Sequence, residues 1–412
     1  GPPKIGRETE CETAMEFAKR MELFGDGIFS VLLKMKEEQL AAGKRVVDLS
    51  IGAPNIPPAQ HIRDAISREA QKAENYVYAL RDTAELQQAV ATWYQRRYGV
   101  QIDPACEVTS LLGSQEGLSH SAMTITDPGE VVLVPDPCYP IFGDGPRLAG
   151  AKLAYMPQRA ENGYVIDLRE IPEETARAAK LMVVSYPNNP TTAMAPDSFY
   201  RDLIEFARKY DIIVLHDNAY SDLVFDGRTC GSFLRFEGAK ELVFDGASCG
   251  SFLAYPGAKE VGVEFNSLSK TYGLAGARIG FCIGNREVVS KVATLKSNLD
   301  YGMFLPIQAA AVAAITGDQA CVAETCAAYQ RRRDLLCEGF SRIGWRMEKP
   351  VATMFVWAPL PEGYTNSMEF ATQLLQKAGV LVTPGSAFGP SGEGYVRLAL
   401  VQGEEAMAWA ID

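Results

Sequence analysis

The sequence is poor in the residues and segments on which several common functions depend. Its 412 residues include only three histidines, and its nine cysteines show no CxxC spacing. Zinc sites and disulfide frameworks usually show such spacing, so small buried hydrophobic cysteines are the favoured interpretation. No apolar run approaches the roughly 18 to 20 residues that a membrane helix needs. The N-terminus lacks the apolar stretch of a signal peptide, so we expect a cytoplasmic protein.

Basic residues are also fewer than acidic ones. Lys and Arg number 40 against 51 Asp and Glu, which gives a formal net charge of -11. This balance repels phosphate backbones and anionic lipid surfaces, so we expect neither nucleic acid nor a membrane as a partner. The length and the 47% hydrophobic content predict a globular chain with two domains, or with one large domain and a smaller partner.

Short apolar runs alternate with helical patterns between about residues 131 and 284. The run LMVVS (181–185) precedes a helix that Asp197 can cap, and the run IIVLHD (212–217) follows that helix. The alternation predicts parallel strands joined by helical crossovers. Later helical stretches and the runs TMFVWAP and GYVRLAL predict a smaller α+β domain. The predicted division is an N-terminal arm with part of the small domain at 1–60, a large domain at 61–298 and a small C-terminal domain at 299–412.

A tandem duplication interrupts the predicted large domain. Residues 223–241 are followed directly by a second copy at 242–260, and 14 of 19 positions are identical. Two copies are too few for a solenoid, so an insertion is the favoured interpretation. A long surface insertion costs little closure entropy, and we expect one copy to keep the native register while the other loops out. The sequence does not decide which copy does so.

Chemically useful side chains follow the predicted strands, where parallel sheets bind ligands. Lys270 lies in NSLSKTYGLAGARIG, where Ser267, Ser269 and Arg278 are close enough to converge on one phosphate group. A lone lysine in such a turn is usually a solvated surface residue. In HDNAY, however, Asp217 ends a strand, and Tyr220 comes three residues later. The spacing lets the carboxylate and the phenol reach two atoms of one ring.

Further candidates each have an ordinary structural explanation beside the functional one. Asn189 precedes a proline, which is a common turn signal. Ser114 and Gln115 begin a predicted helix, where free N–H groups favour a phosphate. Tyr139 follows a strand and either packs in the core or covers a ring. Arg397 lies in the apolar run GYVRLAL, and a buried arginine needs an anion such as a substrate carboxylate.

These residues together meet the requirements of pyridoxal 5'-phosphate (PLP). That cofactor needs a lysine amine to form an imine, an acid at the pyridine nitrogen, donors to the ring oxygen and an anion site for the phosphate. These four groups are supplied, in that order, by Lys270, by Asp217, by the pair Tyr220 and Asn189, and by Ser267 and Ser269 with Arg278. We therefore predict PLP as the cofactor.

The same motifs resemble those of the class I and II aminotransferases, the aspartate aminotransferase superfamily of type I PLP enzymes. The likeness runs from SIGAPN (50–55) to GYVRLAL (394–400). It implies an α/β fold with a mostly parallel central sheet, crossover helices and a smaller α+β domain. The roles it implies at the cofactor are Lys270 as the Schiff-base lysine, Ser267, Ser269 and Arg278 as its phosphate-binding neighbours, Ser114 and Gln115 as further phosphate donors, Asp217 at the ring nitrogen, Tyr220 and Asn189 at the ring oxygen, and Tyr139 as the stacking aromatic.

The resemblance also implies how substrate and partner are bound. Arg397 is similar to the arginine that holds the substrate α-carboxylate, with Asn189 and the backbone of Gly52 beside it. Tyr78, or the nearby Tyr76, is similar to the tyrosine that reaches the phosphate of a neighbouring subunit. Active sites shared in this way imply a homodimer.

Two features depart from the usual family pattern. Thr192 stands where the motif NPTG has its glycine, and a branch resembling LL-diaminopimelate aminotransferases and related bacterial enzymes carries this form. The duplication also stretches the separation of Asp217 and Lys270 to 53 residues, and removal of one 19-residue copy leaves 34, close to the family's usual spacing. We expect neither change to alter the catalytic set.

The resemblance predicts ping-pong transfer of an amino group between an L-amino acid and a 2-oxo acid, with 2-oxoglutarate as the expected acceptor. The donor stays open among LL-diaminopimelate, alanine, aspartate, methionine and aromatic amino acids. A PLP-dependent C–S β-lyase or a racemase could use the same lysine. A non-catalytic aminotransferase-like binding protein is a remote alternative, because no basic helix-turn-helix segment accompanies the domain.

Overall fold

The structure is a computed structural model that describes residues 15–25, 27–227 and 250–412. The strands are β1 (Val47–Asp48), β2 (Val108–Leu111), β3 (Val131–Asp136), β4 (Lys152–Pro157), β5 (Ala179–Ser185), β6 (Ile213–Asp217), β7 (Gly262–Ser267), β8 (Gly280–Gly284), β9 (Phe355–Pro359), β10 (Val380–Leu381), β11 (Thr383–Pro384) and β12 (Tyr395–Ala399). The helices are α1 (Ile28–Ala41), α2 (Gln60–Ala70), α3 (Ala84–Tyr98), α4 (Ser114–Ile125), α5 (Ile141–Leu148), α6 (Glu173–Ala178), α7 (Asp197–Tyr210), α8 (Ala258–Val261), α9 (Arg286–Leu299), α10 (Leu305–Thr316), α11 (Ala320–Arg342), α12 (Ser367–Ala378) and α13 (Glu404–Ile411).

The main sheet contains seven strands within the described ranges, in the order β2-β8-β7-β6-β5-β3-β4. Strands β3 to β7 pair in parallel, whereas β8 runs antiparallel to both β7 and β2. The predicted mostly parallel sheet with helical crossovers is therefore confirmed.

Helices cover both faces of this sheet, which explains why its strands are continuous apolar runs. On β6, Val214 packs in the cluster that contains Trp93 of α3 and Leu203 of α7. The next residue, Leu215, packs on the opposite face with Leu118 of α4. Successive side chains of a strand point to opposite faces, so each strand supplies two cores.

The C-terminal part of the chain forms a smaller assembly around the antiparallel sheet β11-β12-β9. The N-terminal region joins it, because β1 pairs in parallel with β10 and Leu32 of α1 packs against Leu375 and Leu381. The predicted division into an arm at 1–60, a large domain at 61–298 and a small domain at 299–412 stays a prediction. No helix in the described ranges is long and apolar enough to span a membrane.

The expected cap of α7 is wrong by one residue. Pro196 is the N-cap, and Asp197 is the first helical residue. The Asp197 carboxylate instead accepts a hydrogen bond from the hydroxyl of Tyr255.

The structure follows neither expected alternative, in which one whole copy of the duplication keeps the native register. Residues 223–227 of the first copy pack beside the small sheet, where the Phe225 N–H donates to Val351 O at 2.9 Å and the Thr353 N–H to Leu223 O at 2.8 Å. Residues 250–260 come from the second copy and lead through α8 into β7. Each copy thus contributes one part to the fold. Residues 228–249 lie outside the described residues.

Candidate active site

A cavity of about 540 Å³ lies beyond the C-terminal ends of β5, β6 and β7. Parallel sheets bind ligands at this edge, and the volume is that of a typical small-molecule site. The predicted site residues that line it are Gly52, Ser114, Gln115, Tyr139, Asn189, Asp217, Tyr220, Ser267, Ser269, Lys270, Arg278 and Arg397. The fold therefore brings together predicted site residues that lie between positions 52 and 397 of the chain, whereas Tyr78 is outside this lining.

Lys270 lies just after β7, and its Nζ atom donates a short hydrogen bond to the carbonyl oxygen of Gly52. Burial, together with the positive charges of Arg397 and Arg278, lowers the pKa of this lysine to about 8. A lysine with a lowered pKa is more often the neutral amine, which is the nucleophilic form. Lys270 is thus suited to attack an aldehyde.

An anion cradle forms where α4 begins. Gly113 is the N-cap of α4, and its φ of 79° lies in the region that favours glycine. A Cβ at this position would collide with the guanidinium of Arg278. The Arg278 charge is therefore held against the free N–H groups of a helix N-terminus, and Ser267 and Ser269 line the same cavity.

The two acid and phenol candidates lie at the end of β6. Asp217 is 7% exposed, and its Oδ1 atom is buried without a hydrogen-bond partner. Burial raises the pKa of Asp217 to about 7, although His216 and Lys270 act in the opposite direction. A cation beside this carboxyl would restore its ionised form. Tyr220 is also buried, and burial raises its pKa, so the phenol stays a neutral donor.

Tyr139 and Asn189 approach the cavity from two further strand ends. The Tyr139 hydroxyl donates to Gln115 Oε1 at 3.2 Å, and the ring packs edge-on against Phe142. Asn189 accepts a hydrogen bond from Nη1 of Arg397 through Oδ1 at 2.9 Å. Its amide therefore orients the arginine as well as facing the cavity.

Arg397 of β12 is 3% exposed, and its hydrogen-bond partners among the described residues are neutral. Its Nη2 donates to Ser50 O at 2.8 Å, while Nε is buried without a partner. Its guanidinium lies over the rings of Phe355 at 4.1 Å and Phe388 at 4.8 Å. Burial lowers the pKa of Arg397 to about 10. A buried cation with spare donors is a binding site for a carboxylate.

Tyr78 is the one predicted site residue that does not line the cavity of its own chain. It is 80% exposed and packs against Tyr301 with ring centroids 5.3 Å apart. Tyr76, the alternative, is 64% exposed and donates from its hydroxyl to Ala70 O at 2.8 Å. Neither tyrosine lines the cavity of its own chain.

Sequence reasoning missed one wall of the cavity. Phe29, Leu32, Leu33 and Lys36 of α1 line it, as does Asp144 of α5. These α1 positions recur at helical spacing and the first three are apolar, which signals a buried face but not a binding wall. Lys36 donates to Asp48 Oδ2 at 2.8 Å.

The residues fit PLP on two structural observations. The unpartnered Oδ1 of Asp217 and the unpartnered Nε of Arg397 are buried polar atoms that a ligand can satisfy. The glycine at the start of α4 lets the guanidinium of Arg278 lie against the helix N-terminus, where an anion can bind. A site of this composition suits a phosphorylated ring cofactor that reacts with a lysine and works on carboxylate substrates.

Comparison with known proteins gives the class. The aminotransferase class I and II profile matches residues 44–409. The chain is 45% identical to an LL-diaminopimelate aminotransferase of Moorella thermoacetica over 97% of both chains. It is 41% identical to one from Dehalococcoides mccartyi, over 95% of this chain and 96% of that one. The chain therefore belongs to the class I and II aminotransferases.

Comparison with solved structures points to the same class of protein. A substrate-bound BacF structure from Bacillus subtilis covers 96% of both chains with a TM-score of 0.87 and 32% identity. A probable N-succinyldiaminopimelate aminotransferase from Thermus thermophilus gives a TM-score of 0.83 and 33% identity, over 93% of this chain and 98% of that one. The predicted fold class, PLP dependence and aminotransferase activity are confirmed.

Proposed function

We propose that this aminotransferase takes its amino group from LL-diaminopimelate and passes it to 2-oxoglutarate. The observation that carries the donor is the 45% identity, over 97% of both chains, with a relative of that name. Structural neighbours carry other names, including N-succinyldiaminopimelate and aspartate aminotransferase, so the fold alone does not select the donor. Glutamate would be the second product.

The family resemblance and the geometry of the cavity support the proposed roles. PLP supplies an aldehyde that captures the amino group and a ring that withdraws electrons from it. Lys270 would hold the cofactor and, once displaced, move the substrate α-proton through its neutral Nζ. Arg397, oriented by Asn189, would bind the α-carboxylate. Asp217 would keep a positive charge on the ring nitrogen.

The remaining roles concern the ring oxygen and the phosphate. Tyr220 and Asn189 would donate to the ring oxygen, and Tyr139 would stack on the ring. The phosphate would lie at the N-terminus of α4, where the donors are Ser114, Gln115, Ser267, Ser269 and Arg278.

The distal end of the substrate needs its own partners. Arg278 and Arg397 are the arginines that line the cavity in the described part of the chain, and both already have proposed roles. Lys36 is a further lining cation, but it bonds to Asp48. A second carboxylate of the substrate would therefore compete with Asp48 for Lys36 or contact residues of another subunit.

A homodimer is part of the proposal. Tyr78 with Tyr301 and Tyr76 with Phe304 form exposed aromatic pairs, each with centroids 5.3 Å apart. Exposed apolar clusters of this kind mark interaction surfaces. A second copy would cover them and let Tyr78 reach the neighbouring phosphate site. The expected cytoplasmic location stays a prediction.

The test is an assay of glutamate formation from 2-oxoglutarate with a panel of donors. LL-diaminopimelate, N-succinyl-LL-diaminopimelate, aspartate, alanine and phenylalanine would be compared by kcat/KM. We expect LL-diaminopimelate to exceed every other donor by at least about 100-fold, since a site that bonds a substrate's polar groups rejects analogues that leave those groups unpaired. Lys270→Ala serves as the inactive control.

Two results would contradict the proposal. A higher kcat/KM with another donor would reassign the substrate and leave the aminotransferase class intact. Release of ammonia without a 2-oxo acid acceptor would favour the β-lyase alternative instead.

A further inference from the structure

A second buried acid lies behind Asp217, on the other face of the sheet. His216 and Glu264 are paired across β6 and β7, and both are 0% exposed. The His216 Nδ1 atom is 3.0 Å from Glu264 Oε2. Because side chains alternate along a strand, His216 points away from the cavity that Asp217 faces. The proposed chemistry uses neither residue.

Glu264 is surrounded by donors. Its Oε1 accepts hydrogen bonds from Tyr94 Oη at 2.8 Å and from Ser251 Oγ at 2.7 Å. Its Oε2 accepts from the backbone N–H of Phe252 at 2.7 Å and faces His216. Three hydrogen-bond donors besides His216 therefore surround this carboxylate. Such an anion needs a compensating charge when it is fully buried.

His216 is the group that can supply this charge. Nδ1 carries a hydrogen in this arrangement, because the atom it faces is a carboxylate oxygen, which accepts hydrogen bonds. Nε2 lies 3.4 Å from the hydroxyl of Tyr200, which can accept from a protonated ring. The titratable groups that face this couple and Asp217 from the surrounding elements are Tyr94 and Tyr98 of α3, Tyr200 of α7, Tyr139, Tyr220, Lys270 and Arg397.

We propose that Glu264 holds His216 as a cation and that this couple is a positioning element which favours the ionised carboxylate of Asp217 beneath the cofactor ring. The inference rests on the proposed role of Asp217. Burial raises the pKa of Asp217, the charge of His216 lowers it, and the charge of Glu264 raises it. The histidine is the direct chain neighbour of Asp217, so its charge acts at short range in a medium of low dielectric constant.

The test follows the absorbance of enzyme-bound PLP as the pH is changed, without substrate. An ionised Asp217 keeps a proton on the ring nitrogen, and that positive charge repels a proton at Nζ of Lys270. Loss of the charge lets Nζ keep its proton to higher pH, so the midpoint of the pH-dependent absorbance change rises. We expect Asp217→Asn to raise the midpoint most and His216→Asn to raise it by about one pH unit.

A double variant separates charge from packing. His216→Asn keeps an N–H donor for Glu264 but removes the cation. In Glu264→Gln, the amide oxygen can accept from His216 and Phe252, while its NH₂ donates to the Tyr94 and Ser251 hydroxyls. If the charges of His216 and Glu264 act on Asp217, the double variant has a midpoint closer to wild type than His216→Asn alone. His61→Asn, the same change on α2, should leave the midpoint unchanged.

The outcomes are distinguishable. An unchanged midpoint in Asp217→Asn overturns the role of Asp217 itself. A shift in Asp217→Asn with none in His216→Asn, or a double variant no nearer to wild type, overturns the couple alone. If the variants do not fold, the wild-type enzyme labelled with ¹⁵N-histidine decides by nuclear magnetic resonance, because it has only three histidines. We expect protons on both ring nitrogens of His216 at neutral pH, and a neutral ring contradicts the proposal.

Discussion

Arg333 and Arg397 are two buried arginines near the small antiparallel sheet, and they differ in what surrounds them. Arg333 of α11 is 1% exposed and binds Asp226 with two hydrogen bonds, at 2.7 and 2.8 Å. It also bonds to Asp334 and to Pro350 O. Arg397 has only neutral partners, and its Nε has none. The first arginine is satisfied by the fold, whereas the second keeps a free donor for the substrate carboxylate that we propose it binds.

The buried acids Glu264 and Asp217 show the same contrast. Glu264 is satisfied on both oxygens, whereas Oδ1 of Asp217 has no partner. Buried polar groups normally find partners, so unpaired ones in a cavity mark the places where a ligand binds. The contrast therefore separates structural charges from functional ones, and it can be tested.

The largest expected effect is on catalysis by Arg397→Met. Loss of a paired, charged hydrogen bond to the substrate α-carboxylate should lower kcat/KM by about 10²- to 10³-fold. The thermal unfolding midpoint should not fall, because a buried charge without an acidic partner is removed. Steady-state kinetics and calorimetry on the same preparation measure both. Arg397→Lys is the matched control for charge without the fork geometry, and near-normal kcat/KM in Arg397→Met would contradict the assignment.

Arg333→Met should show the opposite pattern. It removes the partner of Asp226, and we expect a loss of about 1 to 3 kcal/mol in the free energy of unfolding, since Asp226 itself is half exposed to water. The kcat/KM of the folded enzyme should stay within about twofold of wild type, because Arg333 is outside the cavity lining. Denaturant unfolding measures the first quantity. A large loss of activity without a loss of stability would contradict the contrast between Arg333 and Arg397.

The lowered pKa of Lys270 gives a smaller, pH-dependent effect on cofactor capture. The pKa of about 8 means that the cofactor-free protein holds mostly the ammonium form below that pH. The rate of PLP incorporation should rise about tenfold per pH unit up to about pH 8 and then level off, since only the amine attacks the aldehyde. Stopped-flow absorbance follows the reaction. A rate that rises to about pH 10 would mean an ordinary exposed lysine.

The smallest effect is expected from deletion of residues 223–241. The remaining copy again places LVFDG directly after Asp222, so Asp245 takes the position of Asp226 opposite Arg333. Activity should be preserved or raised, and the unfolding free energy should be at least that of the full chain, because a long insertion is removed. Deletion of 242–260 is the matched comparison. Loss of folding in both variants would show that the extra copy has become structural.

The parallel sheet and the cavity residues were predictable because their signals are local. Apolar runs such as 181–185 end at the sheet edge, and the polar residues that follow them converge there whatever the details of packing. The proposed roles of Lys270 and Asp217 come from that logic together with the family resemblance, and they stay predictions. Thr192, which replaces a glycine, indeed occupies a left-handed backbone conformation with φ 67°.

Other features depend on contacts that a single sequence does not encode locally. The partner of Glu264 lies 48 residues away, and Ser251 reaches it from the duplicated segment. Two nearly identical copies give the same local signal, so the sequence could not predict that residues 223–227 come from one copy and 250–260 from the other. The α1 wall of the cavity was missed because an apolar helical face looks the same whether it covers a core or a ligand.

The most direct test of the central claim locates the lysine that binds the cofactor. The purified enzyme would be loaded with PLP, reduced with borohydride so that the bond to Nζ becomes stable, digested and analysed by mass spectrometry. We predict a phosphopyridoxyl group on the peptide that contains Lys270, and none when LL-diaminopimelate is added before reduction without an acceptor, because the amino group of the donor then frees Nζ. Modification of a different lysine, or a Lys270 adduct that persists in excess LL-diaminopimelate, would contradict the account.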